Sequence, residues 1–137
     1  MTSARIAWYA AVATAIAWTL KALAIWEAGG LGKTDFEDVG WAVGALLFLF
    51  TWAALGYAFA GGRVIWLRAV AAVVGLVIGL VVVMVLDGAA DVLPDSTGWV
   101  KEEAGLWAAA VLTLVVAWVQ RRRRLGVIGS EAAQASA

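Results

Sequence analysis

Cysteine and histidine are both absent from this chain, and proline occurs once. Without thiols or imidazoles there are no disulfides, no thiolate or imidazole metal ligands, no haem ligation through histidine and no side chain whose ordinary titration falls near neutral pH. Charge is scarce as well. Charged residues make up 15% of the sequence and hydrophobic ones 64%, whereas soluble domains run at about 25% and about 45–50%. So much apolar surface calls for lipid to cover it. Within 137 residues, four spans of about 20 residues each leave no room for a soluble domain. The expectation is one all-α integral membrane domain over residues 1–124.

The spans follow from uninterrupted apolar runs and the turn formers between them. Residues 6–26 are Ala-rich and carry one charge, Lys21; the run exceeds the about 7–15 apolar residues of a cleavable signal peptide. A loop of glycines and carboxylates ends it, and residues 40–60 form a second span without any ionisable carboxylate or base. Gly61, Gly62 and Arg63 leave space only for a tight turn, so residues 64–86 must return beside the second span. A loop holding Pro94 precedes the fourth span, residues 99–120, and residues 125–137 read as a disordered cytoplasmic tail. The two hairpins share a weak pattern: a carboxylate (Glu27, Asp87) closes the odd helix and Gly-Trp (Gly40-Trp41, Gly98-Trp99) opens the even one.

Although the net charge is zero, the charges are segregated. Arg5, Arg63, Arg68 and the run Arg121, Arg122, Arg123, Arg124 fall on one side, while Lys21, Lys33 and Lys101 stand among nine carboxylates on the other. Basic residues near span ends stay in the cytoplasm. The expected topology is therefore an up-down-up-down four-helix bundle of the inner (plasma) membrane, N-in and C-in. Trp8, Trp26, Trp41, Trp66, Trp99 and Trp118 lie near span ends, as interfacial aromatic belts require.

Spans associate in lipid through close packing at small residues rather than through a hydrophobic drive. Ala71, Gly75 and Gly79 repeat every four residues in the third span, and Gly105, Ala109, Thr113 and Ala117 do so in the fourth. These faces pack inside one bundle or against a second copy or partner; sequence leaves both open. Hydroxyls at Thr14, Thr51, Tyr57 and Thr113 are expected on their own helix backbone or on a neighbouring helix. Trp18, Trp52 and Trp107 lie deeper than the belts and are expected to fill the interior, the alternative being to line a pocket for an apolar or cationic ligand.

Lys21 is the least expected residue, since a base at a helix centre costs about 2.5–3.5 kcal/mol on insertion scales. At about 1.5 Å per residue it lies about 24 Å from Arg5, while Glu103 and Glu102 lie about 27 and 28 Å from Arg121, so the three share a depth. Lys21 either snorkels to the interface, pairs with Glu102 or Glu103, or helps form an ion or substrate site. Stripe direction favours Glu102, three residues before Gly105. Arg68 and the Arg121–Arg124 run are expected at anionic headgroups.

No catalytic, cofactor or metal constellation emerges, and four arginines after a span do not make a nucleic-acid module. The function expected is a non-enzymatic accessory or scaffold subunit, whose partners are the lipid bilayer and a second copy or a larger membrane complex. The alternative is an oligomeric small-solute or ion transporter or channel with a charged outer vestibule at Lys21, Glu102 and Glu103.

Overall fold

The computed structural model describes the backbone of residues 2–94 and 97–135, with side chains as far as Arg123. Four α-helices follow in order: α1 Ser3–Ala28, α2 Phe36–Phe59, α3 Ile65–Ala90 and α4 Trp99–Ala135. No strand occurs among the described residues. All four are long and apolar enough to cross a membrane, α4 over Trp99–Arg123. Even the shortest of these spans, 24 residues in α2, measures about 36 Å against a hydrocarbon core of about 30 Å.

The first three helices extend past at least one end of the apolar run that nucleates them, and in α2 the charge of the added turn suits the helix end. Glu37 and Asp38 lie in the first turn of α2, where carboxylates meet the positive end of the helix dipole. Gly40 is consequently not the opening residue of its helix but sits a turn inside it. Gly98, by contrast, precedes α4 with φ 57°, so the two Gly-Trp pairs occupy different positions. α1 stops at Gly29, whose φ of 78° is the left-handed geometry that glycine adopts freely. The Gly30 N–H donates to the Ile25 carbonyl at 3.0 Å and closes the end. α4 runs past the arginines to Ala135, through most of the segment expected as a tail. Ala, Glu and Gln there are good helix formers and no proline intervenes.

The helices form a four-membered bundle in which α1 packs on α2 and α4, α3 packs on α2 and α4, and α2 meets α4 across the diagonal. The core is a stack of aromatic rings: Trp18 to Phe48 at 5.5 Å between centroids, and Phe48 to Trp52 at 6.2 Å. Alanines of α1 and α4 (Ala7, Ala11, Ala109, Ala117) close around it. Trp107 is the exception among the deep tryptophans. It is exposed, on the far side of α4 from the buried Ala109 and Thr113.

Glycines set how closely these helices approach. A Cβ on Gly44 would overlap the Trp18 indole, and one on Gly79 would meet the Trp52 ring. Between α2 and α3, a Cβ on Gly56 would overlap the Ala71 carbonyl and one on Gly75 the Trp52 carbonyl, so two backbones touch directly. The Ala71, Gly75, Gly79 stripe therefore packs onto α2 inside the bundle. The rest of α3 exposes Val73, Val77, Val81, Met84 and Val85. The most apolar helix is thus the least buried by protein, the arrangement expected where lipid is the solvent. Thr14, Thr51 and Thr113 donate to the carbonyls of Ala10, Leu47 and Ala109, each four residues back.

Gly75→Ala is expected to lower the melting temperature in detergent, because the added methyl meets a backbone carbonyl that cannot give way. Gly88→Ala, in the same helix with nothing within 4 Å, should leave it unchanged or raise it, since alanine is favoured over glycine by about 0.5–1 kcal/mol inside a helix. Equal melting shifts for the two, followed by circular dichroism, would contradict this packing.

Candidate functional site

Lys21 and Glu103 form an ion pair inside the bundle. The Lys21 Nζ donates to Glu103 Oε1 at 2.7 Å, with 4% of Lys21 and 3% of Glu103 exposed. Two features admit the lysine. Its residue lies one turn beyond Trp18 on the buried face of α1, and Gly40 of α2 leaves room for its stem: a Cβ there would stand 2.9 Å from Lys21 Cβ. Lys21 does not snorkel.

Its partner is Glu103 and not Glu102, which is exposed. Small-residue spacing could not choose between the two, because Gly105 and Ala109 are buried together with Leu106, Ala110, Thr113, Ala117 and Gln120. The buried arc of α4 takes in the positions one turn after both carboxylates, and it is the contact with Lys21 that singles out Glu103. Charges taken out of water need each other and further hydrogen bonds to offset desolvation. Here the second carboxylate oxygen, Glu103 Oε2, is buried with no hydrogen-bond partner.

Above the pair opens a cavity of 740 Å³. Lys21 and Glu103 belong to its lining, together with Glu102, Lys101, Asp87 and Asp91. Glu37 and Trp41 from α2 and Val83, Met84 and Leu106 from α3 and α4 complete most of its wall. The three residues singled out by depth, Lys21, Glu102 and Glu103, thus share one cavity. Glu37, Asp87, Asp91 and Trp41 were not legible as members. They come from loop-flanking positions of other helices, and only the bundle's closure brings them together. Among the described residues, no three carboxylates converge in a way that could hold a metal ion.

Beneath the pair the bundle is filled. Trp52 Nε1 donates to the Thr113 hydroxyl at 3.1 Å, and Gln120 Nε2 donates to the Leu55 carbonyl at 3.4 Å. At the arginine-bearing end, guanidinium groups lie over aromatic rings: Arg68 over Tyr57 at 3.9 Å, Arg122 over Trp118 at 4.2 Å and Arg121 over Trp8 at 5.6 Å. Such cation–π contacts orient the bases without neutralising them. Arg123 is exposed, and the Arg124 side chain lies outside the described residues. No family model, curated protein or solved structure matches the chain.

Lys21→Met is expected to destabilise the bundle by about 3–5 kcal/mol, because it strands a buried carboxylate. The double variant Lys21→Met with Glu103→Gln should recover most of that loss, measured by denaturant titration of helical content. Additive losses would mean that the two side chains do not interact.

Proposed function

We propose that the chain is a four-span protein of the inner membrane, up-down-up-down with both termini cytoplasmic, acting as a non-enzymatic accessory or scaffold subunit of a larger membrane assembly. Charge segregation supports the orientation: Arg68, Arg121 and Arg122 lie against Tyr57, Trp8 and Trp118 at one end, while Lys21 meets Glu103 toward the other. Bases near span ends favour the cytoplasmic side, and the arginine run suits the anionic headgroups there.

The observation that carries the accessory reading is the filled interior. Below the ion pair, Trp18, Phe48, Trp52, Leu55 and Thr113 occupy the bundle axis, each less than a tenth exposed, so a single copy offers no polar path through this layer. An enzyme would have to run its chemistry on the carboxylates and lysines of the acidic end alone, since the chain has neither cysteine nor histidine. The charged cavity favours a second reading, an oligomeric small-solute or ion transporter or channel; passage would then have to run between copies.

Crosslinking in native membranes followed by purification should recover a defined partner protein in fixed ratio. Purified protein reconstituted into vesicles should leave them tight to potassium and to a small dye. Protein-dependent flux, with no partner recovered, would favour the transport reading instead. A reporter that works only outside the cytoplasm, fused after Ala137, should be inactive; activity there would reverse the orientation.

A further inference from the structure

The cavity above Lys21 and Glu103 combines features that the accessory reading does not use. Five carboxylates (Glu37, Asp87, Asp91, Glu102, Glu103) face two lysines (Lys21, Lys101) across it, an excess of three negative charges. Loop residues Leu31 and Gly98 also line it, which places its mouth at loop level and its inner wall at the ion pair. Charges in a concave site with low-dielectric walls focus their field, so a cation is drawn in more strongly than by the same charges on an open surface.

Glu103 is the independent sign that something is to be bound. It is almost wholly buried, it lines the cavity, and only one of its oxygens is satisfied, Oε1 by Lys21. Oε2 lacks any partner. A buried carboxylate oxygen left without a donor is costly, and a ligand carrying N–H donors would remove that deficit.

The rest of the wall narrows the chemistry. Val83, Met84 and Leu106 are apolar, and Trp41 presents an indole. A hydrated inorganic cation gains nothing from such a wall, and the carboxylates do not converge for direct metal coordination. An alkylammonium cation gains from both halves: its N–H groups meet carboxylates, its methylenes lie on Met84 and Leu106, and its charge suits the Trp41 ring. We propose that this cavity binds alkylammonium cations of the linear polyamine type. More than one ammonium centre matches an excess of three carboxylates better than a single one.

Spermidine is the probe, titrated calorimetrically into the full-length protein in a neutral detergent at fixed ionic strength. Saturable one-to-one binding is expected, with no comparable binding of calcium or of the uncharged chain 1,8-octanediol. Asp87→Asn with Asp91→Asn, both at exposed positions, should weaken spermidine binding by at least about tenfold. Glu27→Gln with Asp38→Asn removes two exposed carboxylates that flank the α1–α2 loop but lie outside the cavity, and should change it by less than about twofold. Glu103→Gln should also weaken binding wherever circular dichroism finds the bundle intact. Absence of saturable binding, calcium binding as tightly as spermidine, or equal weakening by the two double variants would each overturn the proposal. None of these outcomes bears on the accessory reading, which partner recovery decides separately.

Discussion

Two indoles seat on two glycines, Trp18 of α1 on Gly44 of α2 and Trp52 of α2 on Gly79 of α3, and the bundle is built around these notches. Lipid tails give helices no hydrophobic reason to associate, so what holds them is dispersion at close range. A tryptophan offers the largest contact area of any side chain, and a glycine offers the only gap deep enough to receive it. The Phe48 ring between the two indoles joins both contacts into one layer. That layer also blocks the axis of the bundle.

Everything polar is arranged around this layer. Hydroxyls return to their own helix, and the Trp52 indole finds the Thr113 hydroxyl. Above the aromatic layer, where Gly40 again thins α2, a lysine and a glutamate meet, almost wholly buried, at the inner wall of the acidic cavity. A buried pair contributes little to stability on balance but is severe when broken, so this one ties α1 to α4 chiefly through the cost of parting it. Because the pair leaves one carboxylate oxygen unsatisfied beneath an acidic cavity, the structural link and the candidate binding site are the same residues.

The two ends of the bundle are chemically unlike. One carries arginines laid over Tyr57, Trp8 and Trp118, which keep their charge available to anionic headgroups. The other gathers carboxylates around a cavity with an apolar wall. A filled centre separates these ends, so in a single copy any solute held at the acidic end stays there. That favours binding or assembly at one membrane face over conduction through the chain.

The four helices were readable in the sequence because lipid imposes a simple requirement: about 20 apolar residues per crossing, ended by residues that lipid rejects. Lys21, Glu102 and Glu103 could be placed at one depth for the same reason, since rise per residue is nearly constant. Azimuth was not readable. Whether Glu102 or Glu103 meets Lys21 depends on how α4 sits against α1 and α2, a relation fixed by contacts between helices such as Trp52 Nε1 on the Thr113 hydroxyl. Likewise the Gly75 and Gly79 stripe announces a close contact, but only the tertiary structure assigns it to α2. Depth is a property of one helix and is written along it, whereas facing is a relation between helices and exists only once they pack.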